Sequence, residues 1–107
     1  MSEKLLNLDT PLEAMREHAS DAAQLLKALA NENRLMILCT LSEGEMSVGQ
    51  LNGRVDLSQS ALSQHLAVLR RDGLVSTRRE AQTIYSSLAT GPAGRIIETL
   101  HGIYCGS

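Results

Sequence analysis

The apolar period of this sequence changes at one glycine, and that change limits the folds open to it. From Ser58 to Asp72, leucines recur at Leu62, Leu66 and Leu69, a spacing that lines one side of an α-helix. After Gly73 the period falls to two. Residues 74–79 and 83–88 alternate as strands, with Glu80-Ala81-Gln82 as a short hairpin loop between them. Gly73 takes the position just past the helix, where a left-handed backbone ends it. Upstream, Ser47-Val48-Gly49-Gln50 is a capping box that opens a short helix through about Arg54. Val55-Asp56-Leu57 makes a turn, and Ser58 caps the longer helix. A short capped helix, a tight turn and a longer capped helix form a helix-turn-helix, and the hairpin behind it supplies a wing.

The remaining segments frame that unit. Residues 1–9 read as a short arm. Thr10 caps a further helix, Pro11 suits its first position, and Glu13 completes a capping box. Along it, Leu12, Met15, Ala19, Ala22, Leu26 and Leu29 form a narrow seam of the coiled-coil kind. Such a seam serves either a helix lying on its own core or one packed against a second protomer. Asn31-Glu32-Asn33 breaks this helix and caps the next, which is apolar at Leu35, Ile37, Leu38 and Leu41 and ends at Gly44. Gly91-Pro92 opens a last helix whose buried side is marked by Ile96, Ile97, Leu100, Ile103 and Tyr104. With no Phe, no Trp and two Tyr, the core must be aliphatic. The expected fold is mainly α with a small β-hairpin wing. Residues 1–107 form one domain, with the helix-turn-helix at about 47–72 and the wing at about 74–88. The helices at about 11–29 and 92–105 are left free for dimerisation.

The net charge of −2 argues against a strongly electrostatic nucleic-acid binder, but its distribution does not. Residues 1–33 carry Lys4, Arg16 and Lys27 against six acids, whereas residues 54–82 carry Arg54, Arg70, Arg71, Arg78 and Arg79 against Asp56, Asp72 and Glu80. On the helix after the turn, Ser60, Gln64, Ala67 and Arg71 lie opposite the leucines, flanked by Ser63 and Val68. Small and polar side chains let a helix sit deep in the major groove, and Gln, Ser and Arg match base edges. Ser58, Gln59 and Ser60 lie where free N–H groups favour a phosphate. Arg78 and Arg79 at the hairpin tip, beside Gln82, suit contact with the sugar-phosphate backbone or the minor groove; Arg70 also contacts DNA or pairs with an acidic neighbour. One protomer offers few contacts, so the expected partner is double-stranded operator DNA with an inverted repeat, read by a homodimer.

The sequence lacks an apolar run long enough to span a membrane and a secretory signal at its start, so a cytoplasmic protein without a membrane partner is expected. Cys39 and Cys105, separated by 65 residues and without a CxxC motif, read by themselves as small buried hydrophobes. No nucleophile–base set, phosphate loop or paired carboxylate site is apparent, so no enzyme and no cofactor is expected.

Three stretches together resemble the ArsR/SmtB family of winged-helix repressors: Leu25-Leu26-Lys27-Ala28-Leu29-Ala30-Asn31-Glu32-Asn33-Arg34-Leu35, then Leu57-Ser58-Gln59-Ser60-Ala61-Leu62-Ser63-Gln64-His65-Leu66, then Leu69-Arg70-Arg71-Asp72-Gly73-Leu74-Val75. The resemblance covers nearly the whole chain. It implies a homodimer through the first and last helices that binds an operator and releases it on an inducer. Metal-sensing members carry a Cys-x-Cys pair before the turn, where this chain has Ser47 and Gly49. Others place Asp and His on the last helix, where this chain offers His101 with Glu98. Metal sites need three or four well-placed ligands, so no metal is expected.

Cys39, Cys105 and the ending Leu100-His101-Gly102-Ile103-Tyr104-Cys105 are similar to the sulfide- and redox-responsive branch of that family. That similarity implies redox-sensing thiols, joined as a disulfide or polysulfide by reactive sulfur species or oxidants, with loss of DNA binding. His101, four residues before Cys105 and on the same helical face, would favour the Cys105 thiolate. The alternatives are a repressor answering to a metal or other ligand with inert cysteines, and a winged-helix module that binds protein.

Overall fold

A computed structural model describes residues 11–106. Helix α1 spans Pro11–Leu29 and α2 Glu32–Leu41; strand β1, Met46–Ser47, leads into α3, Val48–Asn52; α4 spans Gln59–Arg71; β2, Val75–Glu80, and β3, Thr83–Leu88, form the hairpin; α5 spans Pro92–Cys105. The cap expected at Thr10 and the arm of residues 1–9 lie outside the described residues.

The core sits where α2 to α5 converge. Ile37, Leu38, Leu51, Leu62, Leu69 and Ile97 are fully buried, one or two from each helix. Burying each such side chain stabilises the fold by roughly 1.5–3 kcal/mol. The caps fall where the residue types require. Asn31 Oδ1 accepts from Arg34 N at 3.0 Å, and Ser58 Oγ accepts from Ala61 N at 3.1 Å. Ser47 and Gln50 form both arms of the capping box, at 3.1 and 2.9 Å.

The end of α4 is a Schellman motif: Leu74 N donates to Leu69 O at 2.9 Å and Gly73 N to Arg70 O at 3.0 Å, with Gly73 at φ +78°. Leu69 and Leu74 are both buried beside it. This junction ties the leucine stripe of α4 directly to the first wing strand.

Two expectations are corrected. The wing is not a bare hairpin: β1 pairs antiparallel with β3, giving a three-stranded sheet in the order β1-β3-β2. An N-cap residue is extended, as Ser47 is at φ −73°, ψ 165°, so the chain entering α3 is already shaped to pair with a strand edge. Two residues carry no period, which is why the pattern missed them. Second, Ile103 and Tyr104 do not lie on a buried side. They are 63% and 81% exposed, because α5 runs past the core after Ile97. Likewise α1 buries only Ala28 and Leu29 at its C-terminal end; Leu12, Met15 and Leu26 of its seam remain exposed.

Candidate nucleic-acid interface and dithiol pair

Helix α4 turns Leu62, Leu66 and Leu69 inward and leaves Ser60, Ser63, Gln64, Ala67, Arg70 and Arg71 exposed. Gln59 opens the helix and is exposed as well, while the Ser58 hydroxyl is occupied as the cap. The polar face predicted from the helical wheel is therefore intact and uncovered. Beside it runs a groove between α4 and the wing, lined by Ser63, Ala67 and Arg70 from the helix and by Thr77, Ile84 and Ser86 from the hairpin.

Strand alternation divides the wing. The cross-strand pairs are Val75↔Leu88, Thr77↔Ser86 and Arg79↔Ile84 on one face, and Ser76↔Ser87, Arg78↔Tyr85 and Glu80↔Thr83 on the other. The first face turns toward α4. Arg79 thus shares the groove side with Ile84, and Arg78 lies on the opposite side. The hairpin tip itself is Ala81 and Gln82, with Ala81 at φ +57°, so Arg78 is set back from the tip at which it was expected.

The five arginines of the basic segment are not equivalent. Arg54 donates to both Glu43 oxygens at 2.9 and 3.0 Å, and Arg71 Nε pairs with Asp72 at 3.3 Å. Arg78 Nε donates to both oxygens of Glu45 at 2.9 and 3.0 Å, Nη1 reaches Glu80 at 3.5 Å, and the guanidinium carbon lies 4.7 Å from the Tyr85 ring centre. The Glu45 carboxyl is held below its usual range by that hydrogen bonding, and the Arg78 guanidinium is held still more firmly in its charged form. Among the described residues Arg70 and Arg79 make no ion pair, so the uncompensated positive charge flanks the α4–wing groove. Arg70 accordingly does not take the acidic partner that was one expectation; Arg71 does. Glu43, Glu45 and Tyr85 went unnoticed in the sequence, although a period of two already separates Arg78 from Arg79.

The two thiols come from elements that pack together. Cys39, on α2, is half-buried against the core; Cys105 ends α5 and is exposed. Burial pushes the Cys39 thiol up, and the charge of Cys105 pushes it further the same way. Cysteines with 65 residues between them in the chain thus stand on helices that pack together. His101 lies one turn before Cys105 and is exposed. Among the described residues, no three His, Cys, Asp or Glu side chains gather closely enough to hold a metal ion, and no helix is long and apolar enough to cross a membrane.

Residues 31–77 match the model of the bacterial regulatory protein arsR family, a span that runs from the cap of α2 into β2. The transcriptional activator HlyU of Vibrio cholerae is 56% identical over 94 residues, covering 88% of this chain and 87% of its own. The solved structure of HlyU from Vibrio cholerae N16961 superposes with a TM-score of 0.80 at 57% identity, over 85% of this chain and 99% of that one. The biofilm growth-associated repressor of Agrobacterium fabrum is 50% identical over 104 residues, covering 96% of this chain and 89% of its own. The homodimeric winged helix-turn-helix DNA-binding domain Mb0332 from Mycobacterium bovis superposes with a TM-score of 0.72 at 30% identity, over 83% of each chain. With the helix-turn-helix, the wing and these likenesses in agreement, the chain belongs to the arsR family of bacterial regulatory proteins: it is a winged helix-turn-helix transcriptional regulator and not an enzyme.

Proposed function

We propose that this regulator is a thiol-switched repressor, a cytoplasmic homodimer that holds an inverted-repeat operator and lets go when Cys39 and Cys105 become linked. The observation that carries the reading is the packing of α2, which bears Cys39, against α5, which ends at Cys105. A bond between them would tie the protomer core to a helix whose outer end is otherwise uncovered.

Dimerisation through α1 and α5 is supported by what the protomer leaves bare. Leu12, Met15 and Leu26 on α1 and Ile103 and Tyr104 on α5 are all more than half exposed. Patches of this kind mark association surfaces, and the similar Mb0332 domain is described as homodimeric. A twofold pair would set two α4 helices about 34 Å apart, in successive major grooves. Ser60, Ser63, Gln64 and Arg71 then face base edges. Gln59, Arg70, Arg79 and Gln82 face the backbone, and the helix start capped by Ser58 meets a phosphate.

The inducer is a reactive sulfur species or another two-electron oxidant. With a persulfide, the Cys105 thiolate attacks the outer sulfur and a thiol departs, leaving a Cys105 persulfide. Cys39 then attacks the Cys105 sulfur and hydrogen sulfide departs, closing a disulfide. With a longer polysulfide the Cys105 thiolate takes on two sulfurs as a thiol departs; Cys39 then attacks the inner of the two, hydrogen sulfide departs, and one sulfur stays between the residues and spans a wider gap. His101 would support the Cys105 thiolate, and a His101→Gln variant should then shift the pH dependence of Cys105 alkylation.

Intact mass spectrometry with operator gel shifts, before and after persulfide, tests the switch. Loss of two hydrogens or gain of sulfur mass should accompany loss of the shifted band. A Cys39→Ser/Cys105→Ser protein should bind the operator and ignore the treatment. A double variant that responds like wild type removes the thiol mechanism and leaves the regulator.

A further inference from the structure

We propose that Glu45 is a positioning residue for DNA binding. Through Arg78 it sets the angle of the wing, so that Arg79 on the opposite face of β2 meets the DNA backbone beside Arg70. This rests on the DNA-binding reading above and goes beyond it by dividing the wing arginines into a strut and a contact.

Arg78 is already engaged on the side away from the groove, where Nη2 as well as Nε donates to Glu45. Its Nε donates to both Glu45 oxygens, its Nη1 points to Glu80, and its flat face covers Tyr85. Drawing the guanidinium away would leave two carboxylates uncompensated beside a polyanion. Arg79 has the reverse surroundings: no ion pair among the described residues, and a place on the groove side with Ile84.

Glu45 is suited to the strut role by its position. It immediately precedes β1, which reaches the wing through only two pairs, Met46↔Ser86 and Ser47↔Tyr85. Ser47 is also the cap of α3. The path Arg78–Glu45–Ser47 therefore joins the wing to the start of the helix-turn-helix. The planar guanidinium fork against a carboxylate gives that joint a defined direction, which a single point charge does not.

The test is operator binding by fluorescence anisotropy across a salt series, for wild type, Glu45→Gln, Arg78→Gln, Arg78→Lys, Arg79→Gln and Glu45→Gln/Arg79→Gln. Arg79→Gln should weaken binding and lower the salt slope by about one. Glu45→Gln and Arg78→Gln should each weaken binding on the order of fivefold, the scale of one lost surface interaction. Glu45→Gln should add nothing in the Arg79→Gln background, although the two residues lie on opposite faces of the ribbon. Arg78→Lys keeps the charge but not the fork, and should behave like Arg78→Gln.

Tighter binding by Glu45→Gln, full rescue by Arg78→Lys, or additive Glu45 and Arg79 effects would each overturn the strut. The wild-type titration is the separate arm: no binding to any inverted-repeat DNA refutes the DNA reading. In that event, hydrogen exchange of the β2–β3 amides decides the strut. Equal loss of protection in Glu45→Gln and Arg78→Gln supports it, and unchanged protection refutes it.

Discussion

Cys39 and Cys105 differ in their surroundings, and that difference orders their chemistry. Cys39 is half-buried with its thiol pushed up, first by desolvation and then by Cys105; Cys105 is exposed. A thiol with a raised pKa holds less thiolate at neutral pH, and only the thiolate reacts. Iodoacetamide at pH 7 should therefore modify Cys105 before Cys39. The Cys39 rate should go on rising above pH 9, the ordinary thiol value. Cys105→Ser removes the smaller cause, so the Cys39 titration should move down but stay above that value. Peptide mass spectrometry of timed alkylations measures both; faster labelling of Cys39 than of Cys105 at pH 7 would refute the order. The exposed polar face of α4 was legible residue by residue, because a helical wheel needs only spacing. The partners of Arg54, Arg71 and Arg78 were not, because Glu43 and Glu45 reach the arginines through the fold and not through sequence distance.

Among the elements, the α4–β2 junction carries the most structure on one residue. Gly73 ends the helix at φ +78° while Leu69 and Leu74 close over the turn. A Cβ added there meets nothing within 4 Å, so the cost of Gly73→Ala is backbone strain alone. It should lower stability by about 1 kcal/mol and the melting temperature by about 5 °C. Calorimetry checks this, and an unchanged melting temperature would show that the turn relaxes freely. The change of period at Gly73 made this junction visible in advance. Strand β1 was invisible, since its two residues pair only because Ser47 must be extended to cap α3.

Taken whole, the molecule leaves its two outer helices unfinished. Leu26 is 57% exposed in the protomer, so Leu26→Glu should leave the core intact while setting charges against each other across the proposed twofold interface. Light scattering should then report half the wild-type mass. Circular dichroism should be unchanged, and operator affinity should fall by at least about a hundredfold as the second half-site is lost. A variant that stays dimeric would place the interface elsewhere.

The sequence by itself determined the order of helices, the turn, the wing and the inward leucines. These follow from spacing, caps and one glycine, all of which act within a few residues. Only the tertiary structure decided which arginine charges stay free, which face of the wing turns toward α4, that α1 and the end of α5 leave their apolar sides uncovered, and that the helices bearing Cys39 and Cys105 pack together. Those are meetings of side chains far apart in the chain, governed by how the elements pack and not by local pattern.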